Sequence, residues 1–328
     1  MNNTNTPLRI AVFGLGHLGK IHIRCLLQLP QKYQIIGCYD PDTSTATQVH
    51  QLLDVPIFTD PDQLMQVADV VDIVAPTFAH LTLALAAIAH GKHVFIEKPI
   101  ANTVDEAEQI VASAKKAGVK VQIGHVERFN PAFLALDPSA VQPMFIEAHR
   151  LATFNPRGTD VSVVLDLMIH DLDVVLSLVD APPVKVSASG VAVVSPTPDI
   201  TNARIEFANG CVANLTASRI SLKQMRKLRL FQRDAYISVD FLQKETQIIR
   251  LTDADTTAEA ALMQMDTATG KKNIVIEMPS VEENNAIRDE LATFADAILE
   301  DRPVVVSASD GTAALALATW ILDEIRSV

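Results

Sequence analysis

Short apolar runs alternate with helix-period stretches through the first third of the chain. Leu8 to Phe13 is an apolar run ended by glycines, and a helical pattern follows from Gly16 to Leu29. Tyr33 to Tyr39 is a second run, closed by Asp40-Pro41-Asp42, with helical periodicity from Thr43 to Leu53. Pro56 to Phe58 fits a short third strand. Asp69 to Ala75 fits another, before a helix over Phe78 to His90. His93 to Ile96 is the next strand. Val104 to Ala117 is amphipathic and stops at Gly118, a C-cap residue, and Val119 to Ile123 closes the series. This alternation predicts a doubly wound parallel sheet covered on both faces.

The pattern changes after Gly124. Met144 to Phe154 reads as a strand and Val161 to Val179 as one long helix. Strand-like runs then follow without helices between them: Val184 to Val194, Ala203 to Phe207, Cys211 to Ser218, Leu228 to Gln232, Ala235 to Val239 and Gln247 to Leu251. They predict a largely antiparallel open sheet with flanking helices, an α+β domain. Thr252 to Lys272 is polar and alanine-rich with weak periodicity, which predicts a loop. Glu282 to Glu300 and Ala308 to Ile325 read as helices. The expected division is a Rossmann domain over 1–124 and a substrate-binding and oligomerisation domain over 125–328. The last helix, 308–325, is free to pack back on the first domain.

The 328 residues carry 27 basic and 39 acidic side chains, a net charge of −12. Such a surface repels nucleic acid and anionic membranes. No run is apolar and long enough for a membrane span, and Met1 to Pro7 lacks the pattern of a secretory signal. The three cysteines, Cys25, Cys38 and Cys211, lie apart in apolar contexts, as buried thiols of a cytoplasmic protein do.

Gly14-Leu15-Gly16-His17-Leu18-Gly19 follows an apolar strand and opens a helix. That context turns a weak G-x-G-x-x-G signal into a dinucleotide cradle, with the helix N-terminus aimed at the phosphates. Asp40 ends the second strand, where a carboxylate accepts hydrogen bonds from ribose hydroxyls and repels a 2′-phosphate. No Arg or Lys lies between Asp40 and Leu53, so NAD is favoured over NADP. The competing reading makes Asp40 the start of a turn before Pro41. Thr77 and His80 follow the next strand and are candidates for the nicotinamide half, although a lone histidine there also serves as a structural cap.

Glu97-Lys98-Pro99 follows what reads as the fifth strand, at the end where open α/β sheets bind ligands. A lysine there can polarise a reacting hydroxyl. Asp166 and His170 lie four apart on a predicted helix and share a face, with Asp173 extending the stripe among Val164, Leu165, Leu167, Ile169 and Leu172. Polar groups in such company need partners or a wet cleft. Catalysis, a satisfied Asp–His pair and an i,i+4 metal site all fit. The sequence places no third metal ligand, and no metal is assigned.

Together the early glycines, "GKHVFIEKP" at Gly91 to Pro99, "GHVERFNPAF" at Gly124 to Phe133 and "DLMIHDLDVVLSL" at Asp166 to Leu178 resemble the glucose–fructose oxidoreductase / inositol dehydrogenase / rhizopine-catabolism (Gfo/Idh/MocA) family over nearly the whole chain. The resemblance implies an NAD-dependent enzyme that oxidises a ring hydroxyl of a sugar or cyclitol. It implies His170 as general base, Lys98 as the group that orients and polarises the oxygen, and Asp166 as the residue that holds substrate or tunes the histidine. Gly14, Gly16, His17, Leu18, Gly19, Asp40, Thr77, His80, Glu97 and Lys98 are expected at the cofactor, and Arg128, Arg157, Asp173 and Arg219 toward substrate. A cis Lys98–Pro99 bond and a homodimer or homotetramer through the second sheet are further implications. Many members carry Gly where Met168 stands, and an aromatic or an Asn-Arg pair where His125 to Glu127 stand, which bears on the substrate side. The wording "GHVERFNPA" and "MIHDLD" is similar to a subgroup that includes UDP-N-acetylglucosamine 3-dehydrogenases.

Arg219, Lys223, Arg226, Lys227, Arg229 and Arg233 crowd one stretch of an acidic protein. The cluster suits a diphosphate, a solvated hairpin or an oligomer contact. A free-sugar or inositol dehydrogenase is the alternative enzyme. A non-catalytic NAD sensor is the alternative class.

Overall fold

The computed structural model describes residues 6–155, 161–253, 261–267 and 270–326. In chain order the elements are β1 (Leu8–Phe13), α1 (His17–Leu26), β2 (Tyr33–Tyr39), α2 (Thr43–Leu53), α3 (Pro61–Val67), β3 (Val70–Ile73), α4 (His80–Ala89), β4 (His93–Glu97), α5 (Val104–Ala117) and β5 (Val121–Gly124). Then come the short α6 (Pro131–Leu134), β6 (Phe145–Leu151), a π turn (Val164–Met168) and α7 (Ile169–Leu178). The strands β7 (Pro183–Val191), β8 (Ile200–Phe207), β9 (Val212–Ser218), β10 (Met225–Phe231), β11 (Ala235–Asp240), β12 (Glu245–Asp253), β13 (Ala261–Thr267) and β14 (Gly270–Glu277) follow. Helices α8 (Ala286–Leu299) and α9 (Ala308–Arg326) end the chain.

The chain divides into two compact units. Met1–Val126 groups with Asn285–Leu315, and Glu127–Asn284 with Ala316–Val328. The boundary expected at 124/125 lies two residues from this division at Val126. Helix α8 and the first two turns of α9 group with the first unit.

In the first unit a five-stranded parallel sheet runs in the order β2-β1-β3-β4-β5. Ile10 to Phe13 are fully buried, as a strand covered on both faces requires. Capping follows local chemistry. The Thr103 side chain accepts the Glu106 N–H at the start of α5, acidic residues fill its first turn, and Lys115 and Lys116 its last. Leu291, Phe294 and Ala295 of α8 complete a core with Ile10, Val12, Ile23 and Phe95. Pro56 to Phe58 is not a strand of this sheet: Ile57 makes a single parallel bridge to Cys38. The strand bearing Glu97 is therefore the fourth.

In the second unit a nine-stranded sheet runs β13-β14-β12-β11-β10-β6-β9-β8-β7. Every pairing is antiparallel except β6 with β9. One face packs on the π turn and α7: Ile146, Ala148, Leu215, Leu228 and Leu230 share a core with Met168, Leu172 and Val175. The loop expected over 252–272 gives way to the β13–β14 hairpin, with 254–260 and 268–269 outside the described residues. Met263 and Met265 are exposed. Among its described side chains only Asn273 is buried, so the hairpin lacks the hydrophobic contrast that marks a strand. The single helix expected from Val161 begins with the π turn instead.

Candidate functional site

The glycine turn is built by close approach. Gly14 has φ 98°, and a Cβ there would lie 2.5 Å from the Ala75 backbone nitrogen. A Cβ on Gly19 would meet the Gly14 carbonyl oxygen at 2.0 Å, so the helix packs directly on the turn. Gly16 has nothing within 4 Å and caps α1, with His17 exposed and Leu18 half-buried beyond it. A helix N-terminus with open space at its cap is the arrangement that binds pyrophosphate.

Asp40 stands at the end of β2. Its carboxylate accepts the Leu15 backbone N–H at 2.8 Å and the Asp42 N–H at 2.9 Å. Beside it lies a cavity of about 380 Å³ lined by Tyr39, Asp40, Pro41, Thr43, Ala46, Thr47, His50, Ile57, Phe58 and Thr59. No lysine or arginine is in that lining, so nothing there neutralises a 2′-phosphate. Turn, helix end and acidic residue together fit NAD.

Thr77 is half-buried at the start of a 3₁₀ turn, Thr77–Ala79. His80 is 1% exposed, with Nδ1 2.9 Å from the Pro99 carbonyl and Nε2 2.8 Å from the Ala75 carbonyl. Burial pushes its pKa below the ordinary histidine range, and a neutral ring donates to one of these carbonyls at a time. The ring ties two loops together. The Lys98–Pro99 peptide is cis, and Lys98 is half-buried. The Glu97 carboxylate turns inward. Oε1 lies 3.1 Å from His22 Nε2, and Oε2 accepts the Lys98 backbone N–H at 3.1 Å.

In the second unit the π turn Val164–Met168 contains Asp166 and runs into α7 at His170. The two residues thus span a widened turn, a form that recurs at functional sites. Both are half-buried. Asp173 and Arg128, each expected toward substrate, pair with one another at 2.9 Å. Arg219 is buried, and its Nη2 donates to the Val161 carbonyl at 2.5 Å. Arg157 lies outside the described residues.

The basic cluster divides. Arg226 shares its side of β10 with the buried Leu228 and Leu230, whereas Lys227 and Arg229 point to the other face. Lys227 pairs with Asp240 at 3.1 Å, Arg229 with Glu147 at 3.2 Å and Arg226 with Glu127 at 3.7 Å. Residues on opposite faces of one strand do not grip one diphosphate together.

Two buried clusters are absent from the sequence-level candidates. Arg150 donates to both Asp171 oxygens, at 3.0 and 2.8 Å, and to Glu127 at 2.8 Å. Burial pushes the Asp171 carboxyl up, and Arg150 opposes that shift. His22 lies between Asp72 and Glu97 in the first unit, with Glu290 close by. The available signal was a lone charge inside an apolar run, Asp72 in Val70-Val71-Asp72-Ile73; Arg150 gave none, because Glu147 and His149 share its strand.

A parallel sheet with a glycine turn after its first strand and an acidic residue after its second defines a dinucleotide-binding Rossmann protein, here joined to an α+β unit. The chain belongs to the Gfo/Idh/MocA oxidoreductase family. The profile of the family's NAD-binding Rossmann domain matches residues 8–125, and that of its C-terminal domain matches residues 122–237. A UDP-N-acetylglucosamine 3-dehydrogenase from Acidithiobacillus ferrooxidans is 35% identical over 96% of this chain and 96% of its own length. A solved structure of that enzyme gives a TM-score of 0.88 at 34% identity, covering 98% of each chain. A scyllo-inositol 2-dehydrogenase (NAD(+)) from Bacillus subtilis is 28% identical over 65% of this chain and 68% of its own. No helix among the described residues is long and apolar enough to cross a membrane.

Proposed function

We propose that this oxidoreductase oxidises a ring hydroxyl of a UDP-linked amino sugar, at the 3-position of UDP-N-acetylglucosamine or a close analogue. The observation that carries this reading is the reach of the likeness. The UDP-N-acetylglucosamine enzyme matches both units end to end, whereas the Bacillus subtilis inositol enzyme matches about two thirds of the chain. NAD, when bound, accepts the hydride from the carbinol carbon. Gly14, Gly16 and Gly19 make room for its pyrophosphate, His17 and Leu18 open the helix beneath it, and Asp40 receives the ribose hydroxyls. Thr77 borders the nicotinamide half.

Lys98 donates a hydrogen bond to the reacting oxygen and stabilises negative charge as it develops there. His170 takes the hydroxyl proton on a ring nitrogen, and Asp166 on the preceding turn orients substrate or tunes that histidine. Arg157 and Arg219 are assigned to the substrate side. Arg128 and Asp173 act there as a pair. A free cyclitol is the second reading, favoured by the division of the basic cluster between two sheet faces.

The test is a panel of UDP-N-acetylglucosamine, UDP-glucose, myo-inositol and scyllo-inositol with NAD, followed at the NADH absorbance band. Turnover confined to the UDP-N-acetyl sugar supports the reading, and turnover confined to the inositols replaces it. Lys98→Ala and His170→Ala should each lower kcat by about 10²–10⁴-fold. Unchanged turnover in both overturns the roles given to these two residues, whereas NAD binding without turnover of any substrate in the panel points to the sensor. Exposed Val184, Val191, Phe231 and Ile276 on the nine-stranded sheet support a homodimer or homotetramer through that sheet, checked by light scattering. Three buried free cysteines favour a cytoplasmic setting.

A further inference from the structure

The first unit encloses four ionisable side chains from four separate elements. His22 of α1 is fully buried, with Nδ1 3.0 Å from Asp72 Oδ2 on β3 and Nε2 3.1 Å from Glu97 Oε1 on β4. Glu290 of α8 is also fully buried, and among the described residues neither of its carboxyl oxygens has a hydrogen-bond partner. Its ligating oxygen lies within 4.8 Å of those of His22 and Glu97. The other Glu97 oxygen accepts the Lys98 backbone N–H at 3.1 Å. The carboxylate occupies the place of a missing side chain, since a Cβ on Gly124 would stand 2.7 Å from Glu97 Oε1. A chain of direct contacts therefore runs from Asp72 through His22 and Glu97 to the backbone of Lys98.

We propose that His22 is a positioning residue for Lys98: gripped by Asp72, it fixes the Glu97 carboxylate against the Lys98 N–H and so sets where the lysine ammonium stands. The inference rests on the reading of Lys98 as the group that polarises the hydroxyl.

Geometry dictates the protonation. Each ring nitrogen faces a carboxyl oxygen, and a ring that donates to both carries an N–H on each nitrogen, which makes it an imidazolium. Burial opposes that charge, and Asp72 and Glu97 outweigh burial, so the His22 pKa stands well above the ordinary range. Four charged groups would leave a buried excess of two negatives. Burial and the nearby Glu97 push the Glu290 carboxyl well above its usual value, so Glu290 keeps its proton and lowers that excess to one. The remaining groups that face the cluster are neutral or engaged. Tyr33 donates to the Leu291 carbonyl, Cys25 and Cys38 are buried thiols, and His80 bridges two carbonyls. A neutral His22 would oppose a bare ring nitrogen to a carboxylate and release Glu97 from one of its two anchors.

The experiment uses the full-length, NAD-loaded protein. Ring ¹⁵N NMR, with His22→Gln to assign the signal, should show His22 still doubly protonated above pH 6.5, where a free histidine loses its charge. In kinetics His22→Gln should lower kcat by about 10–100-fold, the scale of a misplaced catalytic group, and leave KM for NAD within about twofold. The same substitution on a Lys98→Ala background should cost nothing further, because the two act as one unit. A merely structural histidine would cost the same in both backgrounds, and that result overturns the proposal. So does a neutral ring in the native protein, a measurement that needs no variant to be active. Stoichiometric zinc or manganese that is lost in His22→Gln overturns it too, since a metal-bound nitrogen carries no proton. If Lys98→Ala alone leaves turnover intact, the role assigned to the lysine fails, whatever the NMR shows of the cluster.

Discussion

The carboxylate of Asp40 accepts the backbone N–H of Leu15 at 2.8 Å. The residue assigned to the ribose thus also fastens the glycine turn assigned to the pyrophosphate. Asp40→Ala should raise KM for NAD about tenfold, the worth of one hydrogen bond to a charged group, and leave kcat within about threefold. The same variant should narrow the preference for NAD over NADP, because the negative charge that repels a 2′-phosphate is gone. Initial rates with each cofactor check both effects.

Two glycine substitutions should separate binding from folding. Gly16→Ala enters open space, so its melting temperature should match that of the native protein while NAD binding weakens. Gly124→Ala drives a methyl into the Glu97 carboxylate and should cost about 1–3 kcal/mol in stability, together with a lower kcat. Thermal melts and NAD titrations of the pair distinguish the two kinds of glycine.

Stability should fall as the medium becomes alkaline, and Glu290 is one cause. Folding raises its pKa above the ordinary 4.5. Its neutral form is therefore favoured in the native state, and stability is lost as pH rises from that value through the folded one. The loss approaches about 1.4 kcal/mol per pH unit within this window. His22 acts in the same direction: its raised value gives stability that is complete below pH 6.5 and lost through the folded pKa. Glu290→Gln should remove the first contribution. Urea melts of variant and native protein should converge near pH 4 and diverge in favour of the variant at about pH 8.

Arg150 faces two buried carboxylates. Arg150→Met leaves Asp171 and Glu127 without their shared partner and should cost about 3–5 kcal/mol. Adding Asp171→Asn and Glu127→Gln should recover part of that loss. Chemical denaturation of the single and triple variants tests this.

The parallel sheet is legible in the sequence because its strands are short apolar runs punctuated by glycine, proline and aspartate, and the helices between them keep a clear period. The glycine turn, Asp40 and Lys98 are readable because each occupies a fixed place relative to a strand end. The β13–β14 hairpin is not, since its methionines face solvent. The division of the basic cluster is implicit in the alternation Arg226, Lys227, Leu228, Arg229, Leu230, but becomes plain only once that segment is known to be a strand. The His22 cluster is invisible for a different reason. Its members lie at 22, 72, 97 and 290, and only the fold makes them neighbours.

The return of α8 to the first unit has a consequence for synthesis. Leu291, Phe294 and Ala295 seat against a core whose other members precede residue 127, and residues 127–284 intervene. A nascent chain emerging from the ribosome therefore holds its parallel sheet with one flank bare until nearly all of the polypeptide has been made. A fragment ending at Val126 would keep that flank greasy and sticky, so excision of the cofactor-binding half should yield aggregates unless α8 is grafted back.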